Sequence, residues 1–256
     1  MTIHFIAVLM LTLFVSACSD KTEQLNKDFG KPQVRDRIVE AEDPLANYFL
    51  NKVKPILENR CVVCHGCYDS PCQLKLSSVE GIDRGFSPEL VYGLRLSEME
   101  STRLFIDAEN TQQWRDKEKP FKPVLNEREQ IPEANLQGSV LYQMLAQKNA
   151  HPLPADVSVL PDSFDFSLDR KQQCPSIETI GKYQKDFPLA GMPYGFPNIN
   201  RSEFKTIQTW VEQGAPMAQP PAITDSLQQR INDWETLVNR EGNKAKLINR
   251  YIYEHL

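Results

Sequence analysis

The chain has 256 residues, 41% hydrophobic and 25% charged, with a net charge of −5. That length supports one or two domains with real cores. The acidic balance offers no basic field for phosphates, which argues against a nucleic-acid partner and gives no support for electrostatic binding to anionic lipid.

Taken in chain order, the first informative segment is the apolar run Phe5 to Val15. It has the length of a secretory h-region and is too short to span a bilayer comfortably. It leads into Val15-Ser16-Ala17-Cys18, which resembles a bacterial lipobox, where a peptidase cuts before the cysteine and the thiol is lipidated. The opening Met1-Thr2-Ile3-His4 departs from that pattern, having no Lys or Arg. Residues 1–18 are therefore expected to direct export to the periplasm, with Cys18 either a lipid anchor at the membrane surface or an incidental cysteine beside a plain signal peptide. Residues 19–42 are polar, mixed in charge and without an apolar period, and read as a flexible tether.

Asp43-Pro44 is a helix start, and Leu45, Tyr48, Phe49, Val53, Ile56 and Leu57 follow at helical spacing. Pro55 predicts a kink or break before Ile56. Beyond Cys61 the chain reads as loop, with a short strand at 74–76 and a helix starting at Ser87-Pro88-Glu89 and running through 90–94. Residues 97–132 are polar and irregular. A helix is expected over 133–148, with Leu136, Val140, Leu141, Met144 and Leu145 as its stripe. Residues 149–175 return to loop, and Ser176 opens another helix through Ile177, Ile180 and Tyr183.

Gly191-Met192-Pro193-Tyr194-Gly195 is a glycine-bracketed loop. Asn200 with Glu203 forms a capping-box start for a helix carrying Phe204, Ile207, Trp210 and Val211, which Gly214 and Pro216 end. Thr224-Asp225 starts a further helix with Leu227, Ile231, Trp234 and Val238. The last segment carries Leu247, Ile248, Tyr251 and Ile252, and its unfinished stripe at Leu256 reads as a truncated sequence. The expected fold class is mainly α, with long loops.

Cys61-Val62-Val63-Cys64-His65 is C-x-x-C-H, the attachment pattern for c-type haem. Two thiols one helical turn apart can reach two vinyl groups of one porphyrin, and the next residue's imidazole is carried to the iron. Two other readings compete. The density of Cys61, Cys64, Cys67 and Cys72 would suit a zinc knuckle, and pairs of cysteines in an oxidising compartment can be plain disulfides. Haem is preferred because the motif follows a helix and an export signal. For the sixth iron position Met192 is the candidate, a soft thioether in a proline-stiffened loop. His151 is the rival, and an open or water-bound position is the third option. Cys67, Cys72 and Cys174 remain; Cys67 with Cys72, or either with Cys174, can pair, and spacing does not choose.

The Met-Pro loop followed by the Trp-bearing helix resembles the C-terminal half of small c-type cytochromes. That resemblance implies a cytochrome c-like haem domain over 44–216 with a long insertion, and a separate helical region from 217 to 256. A more specific resemblance lies in the stretch from Arg60 to Ser78. Further matching pieces are Glu80 to Gly85, Thr102 to Ala108, Pro123 to Arg128, Phe164 to Arg170 and Gly191 to Gly195. Together these resemble the bacterial fatty acid cis/trans isomerase family. The resemblance implies a periplasmic haem protein that converts cis double bonds in membrane phospholipid acyl chains to trans, with Cys61, Cys64 and His65 holding haem c. Its chains are longer than this one, so the resemblance also implies an N-terminal part. A lipid-anchored electron-carrier cytochrome and a haem-free interaction or sensor lipoprotein are the alternatives.

Overall fold

The structure is a computed structural model describing residues 20–66, 70–89, 101–153, 160, 164, 173–219 and 223–255. It is mainly helical, and in place of strands its described residues make isolated bridges, such as Phe86 with Lys122. The chain divides into two compact units, residues 1–219 and 220–256. Among the described residues no helix is long and apolar enough to cross a membrane. The run at 5–15 and Cys18 lie outside the described residues.

The segment expected to be a tether is instead built into the first unit. Helix α1 (Asp20–Phe29) buries Leu25 and Phe29, four residues apart and so on one face. Beyond it, the Gln33 N–H donates to the Glu127 carbonyl at 2.7 Å and the Val39 N–H to that of Met217 at 2.8 Å. Arg37 is buried and pairs with Asp83 at 2.7 Å. It also donates to the Asn126 carbonyl at 2.7 Å. Polar composition concealed this because the segment is held by backbone bonds and a paired guanidinium, with only two core side chains.

Helix α2 (Pro44–Tyr48) starts where expected, with the Asp43 side chain accepting from the Leu45 N–H. It passes through a π-helical turn (Phe49–Val53) into α3 (Lys54–Arg60). The widened turn accommodates Pro55, which has no N–H and whose ring would crowd the preceding carbonyls of a regular helix. The expected irregularity is present, and the helix continues through it. Helix α4 (Val79–Arg84) is capped by Ser78 and stops at Gly85. Gly85 has φ +78°, and a Cβ there would lie 2.1 Å from the Lys122 carbonyl, so the bridge between Phe86 and Lys122 requires glycine. The stretch at 74–76 is not a strand; the Leu76 N–H donates to the His65 carbonyl. The helix expected at 90–94 lies outside the described residues.

Residues 101–131 are less irregular than their composition suggests. Helix α5 (Thr111–Arg115) carries Trp114 into a small core with Ala108 and Phe121. The buried Arg84 guanidinium lies 5.3 Å from the Trp114 ring and 4.9 Å from that of Phe121. Arg115 pairs with Glu127 at 2.7 Å and donates to the Asp83 and Arg84 carbonyls.

The single helix expected over 133–148 is two, α6 (Pro132–Gly138) and α7 (Val140–Ala150). Ser139 breaks the run at φ −95°, ψ 109°, capping Tyr142 with its hydroxyl and donating to the Val124 carbonyl. Helix α8 (Ile180–Asp186) begins at Ile180, after a turn from Ser176 to Thr179. Helix α9 (Arg201–Glu212) has the full capping box between Asn200 and Glu203. It buries Ile207, Trp210 and Val211 across the π-helical turn, where the Trp210 and Phe49 rings lie 5.9 Å apart. The Trp210 Nε1–H donates to the Pro216 carbonyl at 2.7 Å. The second unit holds α10 (Asp225–Val238), capped by Thr224, and α11 (Asn243–His255), which touch one another.

Candidate functional site

The C-x-x-C-H turn grows directly out of α3. The Cys61 and Val62 N–H groups both donate to the Leu57 carbonyl, ending the helix. The Cys64 and His65 N–H groups then fold back onto the Cys61 carbonyl at 3.1 and 2.9 Å. This one-turn return puts both thiols and the imidazole on a compact corner. Arg60, just before it, pairs with Glu203 at 3.0 Å, so the end of α3 is tied to the capping box of α9.

The two thiols differ. Cys64 is exposed and Cys61 is half-buried, and both are free. Burial pushes the Cys61 thiol up to about 11, helped by the neighbouring Cys64 and the negative charge of Glu203. His65 is buried, and its Nδ1 has no hydrogen-bond partner. Burial lowers its pKa against the opposing pull of the Leu74 and Pro71 backbone, which favours the neutral imidazole that metals bind. The loop at 70–77 holds it: Ser70 donates to the Leu74 carbonyl, while Lys75 and Ser77 both donate to that of Gly66.

Cys72 forms a disulfide with Cys174, 102 residues away. Of the pairings open from sequence this selects one, and it takes Cys72 out of any thiolate set for zinc. Cys67 lies outside the described residues. Among those described, no group of three or more His, Cys, Asp or Glu side chains is arranged to hold a metal ion. Two free thiols beside a buried imidazole with an orphaned nitrogen would suit a group held by two thioethers and one imidazole nitrogen. A loose metal ion would need more ligands.

Met192 is half-buried and packs against the main core, where Cys61 also packs. Its N–H donates to the Met144 carbonyl of α7 at 3.0 Å. Gly191 is buried, and a Cβ there would stand 2.4 Å from the Lys148 backbone nitrogen, so the 191–195 loop presses on α7. Met192 is thus set by α7, and His65 by the end of α3 and the 70–77 loop. His151, the rival ligand, is exposed at the end of α7.

The model of the fatty acid cis/trans isomerase family matches residues 99–256. The chain belongs to that family. The match includes the pieces at 102–108, 123–128 and 191–195 that carry the sequence resemblance, and it begins beyond the Cys61–His65 turn. No curated protein and no solved structure matches the chain. Within this isomerase family member, the matched region supplies α7, the 191–195 loop and α9, whose Glu203 pairs with Arg60 beside the cysteine turn.

One residue beneath the 191–195 loop escaped sequence reasoning. Lys148 is buried at 0% exposure, and among the described residues its Nζ has no partner. The signal was present: position 148 lies four residues beyond Met144, on the same stripe of α7. A lysine on a helix is ordinarily read as solvated, because its long stem can carry the ammonium out to water.

Proposed function

We propose that the chain is the haem-bearing part of a periplasmic isomerase that turns cis double bonds to trans in unsaturated acyl chains of membrane phospholipids. Family membership supports the reaction and the acyl-chain partner. The observation that carries the haem is the corner of the cysteine turn, where two free thiols stand beside a buried His65 whose Nδ1 lacks a partner. In this reading residues 44–216 are a cytochrome c-like domain, which the packing of Trp210 on Phe49 supports. Cys61 and Cys64 would hold the ring through thioethers, His65 would ligate the iron, and Met192 is the candidate for a second protein ligand.

When bound, a ferric haem supplies an electron-accepting centre that can lower the π order of an alkene, which is what rotation about the bond needs. The chain's own residues set the conditions. Burial keeps His65 neutral and ready to ligate. Cys61 and Met192 both pack against the hydrophobic core, which gives each an apolar face. The bond does not move and no net oxidation occurs, so neither ATP nor nicotinamide is required. Export and a lipid anchor at Cys18 would bring the site to the membrane.

Absorption spectra of the purified chain, ferric and reduced, test this after co-expression with c-haem maturation machinery. We expect covalent haem, lost in a Cys61→Ala/Cys64→Ala variant, and a reduced iron that takes carbon monoxide. A folded chain without haem would defeat the haem assignment. Haem that refuses carbon monoxide would favour a closed His65/Met192 pair and the alternative of a lipid-anchored electron carrier.

A further inference from the structure

We propose that Lys148 is the counter-ion for a carboxylate carried by a ligand that docks where α7 meets the 187–195 segment. Lys148 is fully buried, and among the described residues its Nζ meets neither a hydrogen-bond acceptor nor an acid. Removing an ammonium from water without a counter-charge is costly, and burial accordingly lowers its pKa. The neighbouring Gln147 donates through Nε2 to the Phe187 and Pro188 carbonyls, at 2.7 and 3.2 Å, while its Oε1 is also unpartnered. These two residues lie where α7 receives the 187–195 segment. Gly191 presses on the Lys148 backbone, and Met192 is bonded to Met144 one turn earlier. This ammonium, beneath the loop that carries Met192, has no anion paired with it among the described residues.

Two carboxylates have the right chemistry. One is a porphyrin propionate, and this source rests on the haem reading above. The other is the head of a free fatty acid, which does not. In either case the anion arrives with the ligand, so the ammonium is unpaired in the empty chain and paired in the loaded one.

Lys148→Met keeps the apolar stem and removes the charge, and Lys148→Arg restores the charge. Thermal unfolding of the haem-loaded and haem-free chains is measured for each, with and without oleate or its methyl ester. If a propionate is the partner, Lys148→Met lowers the midpoint of the haem-loaded chain by about 3 °C or more. The haem-free chain keeps or gains stability, and Lys148→Arg recovers most of the loss. If a fatty acid is the partner, oleate raises the wild-type midpoint, methyl oleate does not, and Lys148→Met abolishes the response. A gain in midpoint for haem-loaded Lys148→Met with an unchanged oleate response would overturn the proposal. So would an equal loss in loaded and empty chains, which would mark a packing role. Should Lys148→Met not fold, Lys148→Gln gives the same readings. Should no haem attach, the haem reading fails by its spectrum alone, and the oleate series still decides Lys148.

Discussion

Helices α9 and α10 are written in nearly the same pattern and meet opposite fates. Both begin at a capping residue, and each sets a tryptophan among apolar residues at helical spacing: Phe204, Ile207, Trp210 and Val211 in one, Leu227, Ile231, Trp234 and Val238 in the other. Trp210 is 0% exposed, wedged on Phe49 and bonded to Pro216. Trp234 is 59% exposed, and no residue of α10 is buried. A stripe shows which face of a helix is apolar; whether anything covers it depends on elements distant in the chain.

The largest expected effect probes that contrast directly. Trp210→Ala should cost about 4 kcal/mol of stability, while Trp234→Ala should stay within about 0.5 kcal/mol. Denaturant titrations followed by far-ultraviolet circular dichroism check both; comparable losses would mean that the face of α10 is covered in solution. A smaller effect comes from the staple in the first unit. Breaking Cys72–Cys174 by Cys72→Ser should remove about 3 kcal/mol, the middle of the range that a disulfide usually contributes by restricting the unfolded chain. Amide exchange over 225–255 should not change, whereas exchange over 70–84 should accelerate; a uniform response would join the two units into one cooperative body.

The smallest effect repeats the contrast of buried and exposed within one turn. In haem-free chain, iodoacetamide should modify exposed Cys64 before half-buried Cys61. With its thiol pushed up to about 11, Cys61 gains thiolate only as the pH climbs toward that value. Its rate should therefore keep rising through pH 10, measured by mass spectrometry of the labelled peptides. A thiol whose pKa is raised on folding stabilises the fold below the unfolded value near 9 and loses that contribution as pH rises toward 11. Equal labelling rates at pH 8 would mean that the turn is open.

Much of the fold and part of the site were legible in the chain. The start of α2 at Asp43-Pro44, the disturbance at Pro55, and the capping box and stripe of α9 stood in the sequence and are present in the structure. The family followed from several short pieces spread over the chain, and the matched region bears it out. The break at Ser139 was missed because Gly138 and Ser139 are tolerated in a helix; the pull of the Val124 carbonyl, 15 residues away, decides against continuation. The packing of residues 20–39 was missed because its partners, Asp83, Asn126, Glu127 and Met217, are remote in sequence.

Caps, helical spacing and the C-x-x-C-H turn depend on neighbours within about five residues. The sequence by itself therefore determined where several of the main helices lie and which residues form the C-x-x-C-H turn. Which cysteine pairs with Cys174, which tryptophan is covered and which lysine is left without a counter-charge are relations between residues far apart in the chain. Only the tertiary structure decided those, because burial and pairing are properties of the surroundings that a side chain finds after folding.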